Sequence, residues 1–92
     1  MEQKFVAAWA EARKAALSLG VRMRPVPDGE ALKQAHRCLS GHKESDGFWE
    51  LCDKNRADLT LEALAVKKQF TALFSDEEAN NALTRLLSAG HF

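Results

Sequence analysis

Ser75-Asp76-Glu77-Glu78 is the stretch on which the fold turns. A serine whose hydroxyl can accept from the amide three residues on, followed at that third position by a glutamate that can reach back, forms a reciprocal helix N-cap, and acids in a first turn suit the helix dipole. The pattern therefore starts a helix, running from about Asp76 to about Ser88 with Ala79, Ala82, Leu83, Leu86 and Leu87 apolar and Gly90 closing it. The same cap ends whatever precedes it. Upstream, Leu59, Ala63, Val66, Phe70 and Phe74 recur at helical spacing, widened by Leu61, Leu64 and Leu73, so a fourth helix capped by Asp58 or Thr60 is predicted to run to Phe74. Together these two segments form a C-terminal helical hairpin.

The rest of the chain reads as helix as well. Phe5, Trp9, Ala12, Ala16 and Leu19 mark one face of a first helix over Glu2 to Leu19, and Gly20 follows as its left-handed stop. Val21 to Pro27 is an extended linker, because each proline disfavours helix at the residue before it. Within it Val21 and Met23 alternate with Arg22 and Arg24, the pattern of a half-buried segment. Asp28 is expected to cap a second helix ending at Leu39 before Gly41, with Leu32, Ala35 and Leu39 inward. Ser45 or Asp46 is expected to cap a third helix carrying Phe48, Trp49, Leu51 and Cys52 and ending at Asn55. The fold class is all-α: a single domain over residues 1–92, a compact bundle of four or five short helices with the fourth packed between the first and the fifth.

Composition narrows the function classes. Thirteen Lys and Arg balance thirteen Asp and Glu, so no global field draws the chain to phosphate backbones or anionic lipid. Residues 1–44 hold eight basic against five acidic residues, and residues 45–92 the reverse, an asymmetry that suits pairing of the two halves within or between molecules. No run approaches the roughly 18 apolar residues of a membrane span, and the N-terminus lacks a signal-peptide pattern, so the expected location is cytoplasmic, away from membranes. There Cys38 and Cys52 are expected to stay reduced.

His36, Cys38, His42 and Cys52 are the donor types a zinc ion needs, but His36 and Cys38 stand about 200° apart on a helix and do not converge. No metal or other cofactor is expected. The chain has no glycine-rich phosphate loop, no His-Glu-x-x-His and no tyrosine, and its carboxylates fall at caps and solvent faces, so it does not read as an enzyme.

Leu59-Thr60-Leu61-Glu62-Ala63-Leu64-Ala65 looks like the opening helix of a DNA-binding helix-turn-helix, with Ala65 as the small packing residue. The resemblance covers seven residues. Where that motif would turn tightly at a glycine, this chain has Lys67-Lys68-Gln69-Phe70, and the helix that follows opens on three carboxylates that repel phosphate.

What remains is a non-catalytic protein-interaction module, a small regulator, inhibitor or accessory subunit whose partner is another protein or its own copy. Its candidate contacts are Trp9, Phe48, Trp49 and the terminal Phe92 as aromatic anchors, with Arg22 and Arg24 as bidentate partners for carboxylate. The alternative is a dimeric nucleic-acid-binding regulator that sets Arg13, Lys14, Arg22 and Arg24 on phosphate.

Overall fold

The computed structural model describes residues 2–23, 26–41 and 44–90, so Arg24, His42 and Phe92 lie outside the described residues. Among those described, five α-helices and no strand are present: α1 Glu2–Ser18, α2 Ala31–Ser40, α3 Phe48–Asp53, α4 Leu61–Ala65 and α5 Asp76–Ser88. Helix α1 ends as its glycine dictates. Gly20 takes φ +84°, its amide bonds to the Leu17 carbonyl at 2.9 Å, and the Val21 amide reaches back to Ala16 at 2.9 Å. This paired closure brings Val21 over Ala16, and both are fully buried. Asn55, at φ +61°, closes α3 in the same way, with Arg56 bonding back to Leu51 at 2.8 Å.

At the start of α5 the capping box is complete: the Ser75 hydroxyl accepts from the Glu78 amide at 3.1 Å, and the Glu78 carboxylate accepts from the Ser75 amide at 2.8 Å. Thr60 is the cap of α4, its Oγ1 accepting from the Ala63 amide at 3.1 Å.

Three local expectations give way. Asp28 opens a 3₁₀ turn, and Glu30, with no side-chain bond to the helix, stands directly before α2. Neither Ser45 nor Asp46 caps α3. That place belongs to Gly47 at φ +75°, where a Cβ would lie 2.7 Å from Val21 Cγ1, while the Ser45 hydroxyl donates to Glu62 instead. The fourth helix stops at Ala65, followed by turns over 66–70 and a 3₁₀ turn at Thr71–Leu73. This tighter path sets Phe70 and Phe74 edge-on against Phe5, with centroids 5.5 and 5.3 Å away. Packing of three rings thus overrides the helix propensity of Lys67, Lys68 and Gln69.

The main core joins the Phe5, Trp9, Ala12 and Ala16 stripe of α1 to Ala31, Ala35 and Leu39 of α2, Leu61, Leu64 and Ala65 of α4, and Ala82 of α5. Helix α4 packs against both α5 and α1. A smaller cluster of Phe48, Ala57 and Leu86 lies where α3 meets α5. The radius of gyration, 11.9 Å, is that of a compact body of this length, about 12 Å. Among the described residues no helix is long and apolar enough to cross a membrane.

Candidate interaction surface

Helix α3 has six residues and therefore one face to bury. Phe48 and Leu51, three apart, take it and are 1% and 0% exposed. Trp49, turned about 100° from Phe48, is left 48% exposed. Its ring stands perpendicular to that of Phe48, centroids 5.2 Å apart. Phe48 in turn packs with Leu86 of α5, and on the outward side of that helix Leu83 and Leu87, one turn apart, are 39% and 52% exposed. Leu17 on α1 is a further exposed leucine. Trp49 is thus braced against Phe48, and Leu83 and Leu87 stand on the helix whose Leu86 joins Phe48 in the smaller cluster.

The other residues singled out from sequence fall elsewhere. Trp9 is a core residue, 6% exposed, with the Arg13 guanidinium 4.9 Å above its ring. Among the described residues its buried indole N–H meets no hydrogen-bond acceptor. Arg22 is exposed, as the alternation with buried Val21 and half-buried Met23 requires, and shares a shallow depression with Asp46 and Glu50. Arg24 and Phe92 lie outside the described residues. Leu83, Leu86 and Leu87 stand at the i, i+3, i+4 spacing of a single buried stripe, so the sequence carries no signal that Leu83 and Leu87 face outward.

Two buried polar networks fix the scaffold. Glu62 is fully buried and Arg85 nearly so, and the guanidinium meets the carboxylate at 3.2 Å. Glu62 also accepts from the Ser45 amide at 2.9 Å and from its hydroxyl. Arg85 donates further to the carbonyls of Cys38 and Gly41 at 3.2 and 2.8 Å, closing the C-terminus of α2 with a cation where the helix dipole favours one. Both ends of the loop between α2 and α3 are thereby held by one ion pair. One turn along α5, Asn81 donates to the Leu39 carbonyl at 2.8 Å, and Glu78 meets the His36 ring at 2.7 Å and the Ser40 hydroxyl at 3.2 Å. Glu78, Asn81 and Arg85 share a face of α5, and all three grip the last turns of α2. Burial pushes the Glu78 carboxyl up, but the Ser75 amide, the His36 ring and the Ser40 hydroxyl together hold it below the usual carboxylate range.

The thiols are not poised for chemistry. Burial, reinforced by the Glu62 carboxylate, pushes Cys38 up to about 11 against the opposing pull of Arg85, and burial raises Cys52 as well. Thiolate is the nucleophile and metal ligand, so these raised values disfavour reaction of either thiol at neutral pH. His36 faces Glu78, and among the described residues no three His, Cys, Asp or Glu side chains gather as a metal site.

Compared with known proteins, the chain matches no family, no curated protein and no solved structure.

Proposed function

We propose that this chain is a non-catalytic protein-interaction module, a small regulator, inhibitor or accessory subunit that docks through Trp49 and the outward leucines of α5. Its partner is another protein or a second copy of itself. The observation that carries the reading is the exposure of Trp49 in a domain that buries Phe5, Trp9, Phe48, Phe70 and Phe74. A tryptophan braced against a buried ring presents a large apolar area with little side-chain freedom left to lose, the property that concentrates tryptophan at interface hot spots. The nucleic-acid alternative draws less support: Arg22 stands beside two carboxylates, and Arg13 lies over the Trp9 ring.

The test is Trp49→Ala. The variant loses the edge contact with Phe48, worth about 1 kcal/mol, which for a domain of this size lowers the melting temperature by roughly 4–8 °C. It is expected to remain folded by circular dichroism and to lose the solution mass of an oligomer, or the proteins captured from native lysate by the unmodified chain. A folded variant with unchanged mass and unchanged captured proteins removes the reading, and so does one that unfolds. Retention on mixed-sequence DNA that salt abolishes and Trp49→Ala leaves intact turns it toward nucleic acid.

A further inference from the structure

His36 lies on the side of α2 that meets α5, and its Nδ1 stands 2.9 and 2.7 Å from the two oxygens of Glu78. The other groups bonded to that carboxylate are donors as well, the Ser75 amide at 2.8 Å and the Ser40 hydroxyl at 3.2 Å. Burial pushes the carboxyl up, but these donors hold it below its usual range, so at neutral pH it is ionised and can only accept. The proton of the neutral imidazole therefore sits on Nδ1, and Nε2 carries the lone pair. Among the described residues Nε2 has no hydrogen-bond partner and is not enclosed; the His36 side chain is 39% exposed, against 9% for Glu78. Against the ring stands Phe74, centroids 5.2 Å apart, itself buried and packed on Phe5. One nitrogen is thus anchored, the ring is braced, and the nucleophilic nitrogen is open.

We propose that Nε2 of His36 is the acceptor for a phosphoryl group taken from a phosphoramidate donor. The Nε2 lone pair forms the new N–P bond as the donor's P–N bond breaks. The bonding pair leaves with the donor nitrogen, which already carries its proton and departs as the neutral amine, while Nδ1 keeps its hydrogen. The ring thereby gains a positive charge, which the Glu78 carboxylate and the Phe74 ring meet. Glu78 is a positioning residue: it fixes the tautomer that leaves Nε2 free and stabilises the charge that transfer creates. Lys33, three residues before His36 and so on the same side of α2, is exposed and supplies a cation for the transferred oxygens. His36 ends the step loaded with the group and is not regenerated, so the chain stays non-catalytic, and the site shares no residue with the Trp49 surface.

The experiment uses the full chain carrying His42→Gln and His91→Gln, which keeps His36 as the single histidine, and the probe is phosphoramidate itself at neutral pH. The expected product is one acid-labile phosphoryl group per chain, assigned to Nε2 by phosphorus NMR and formed at least about tenfold faster than on N-acetylhistidine methylamide. Adding Glu78→Gln retains the capping-box pattern, since glutamine serves at that position as glutamate does. This substitution is expected to slow phosphorylation by about tenfold or more and, before any donor is added, to move the ring nitrogen NMR signals from the Nδ1–H toward the Nε2–H tautomer. No adduct, an adduct on Nδ1, or a rate no greater than that of the free model compound overturns the proposal. So does a rate unchanged in folded Glu78→Gln. An Nε2–H tautomer in the single-histidine chain overturns it too, and that reading needs no second variant to fold.

Discussion

Arg85→Met tests whether the buried ion pair organises the molecule. Removing one partner of a buried pair strands the other charge and ordinarily costs about 3–5 kcal/mol. Glu62 would keep its bonds from the Ser45 amide and hydroxyl, which moves the expectation to the lower end. The Cys38 and Gly41 carbonyls would lose their donor, but Gly41 is only half-buried and can turn to water. The expected loss is about 3–4 kcal/mol, against a total of about 5–14 kcal/mol for 92 residues at the usual stability per residue. With a urea dependence near about 1 kcal/mol per molar, the unfolding midpoint should fall by roughly 3 M. Glu62→Met alone should cost a similar amount, since it strands Arg85 and leaves Ser45 without its acceptor. The double variant should cost less than the two together by about 2 kcal/mol, because no lone charge then remains inside. Hydrogen exchange adds a local readout: in Arg85→Met the Ser45 amide should lose protection before the amides of α1. An Arg85→Met loss below about 1 kcal/mol, or single losses that add to within about 0.5 kcal/mol in the double variant, refutes the reasoning.

Gly47→Ala should destabilise by about 2–3 kcal/mol, since it combines positive φ with a clash against the buried Val21 side chain, whereas Gly20→Ala, with open space around it, should cost only about 1 kcal/mol. Thermal melts that rank the two the other way contradict the geometry. Because the Glu78 carboxyl titrates lower in the fold than in the open chain, its stabilisation is complete above the ordinary value of about 4.3 and disappears as pH falls through the lower folded value. Urea midpoints from neutral to acid pH should therefore fall less steeply in Glu78→Gln than in the unmodified protein, and equal slopes would count against the network. Native Cys38 and Cys52 should react slowly with a disulfide reagent at neutral pH, Cys38 the more slowly, and both quickly once unfolded in urea; rapid reaction of the native thiols would contradict their raised values.

The boundaries that local chemistry decides are legible in the residues. Ser75 with Glu78, Thr60, Gly20, Asn55 and Gly90 each mark a helix end because a cap bond or a left-handed backbone needs only near neighbours. The break after Ala65 is not local. Lys67, Lys68 and Gln69 are good helix formers, and only the distant Phe5 ring, which Phe70 and Phe74 both meet, explains why the chain tightens there. Glu62 and Arg85 are illegible for the same reason: a charge on an amphipathic segment reads as solvent-facing until tertiary structure encloses it. A five-residue α4 is enclosed by α1, α5 and the loop ahead of α3, so even its glutamate goes inside and must be met by Arg85 and Ser45.

Trp49 is the opposite case, and it ties the fold to the proposed role. The shortness of α3 allows a single inward face, Phe48 and Leu51 occupy it, and the next residue is rotated too far to follow. A helix that ends at Asp53, with Asn55 in a left-handed conformation directly after, has no second turn to fold over the ring. Leu83 and Leu87 are outward for a related reason: α5 commits Glu78, Asn81 and Arg85 to α2, and Ala82 and Leu86 to the two cores, which leaves its remaining leucines on the far side. The exposed apolar residues are therefore built into short helices whose inner faces are already full.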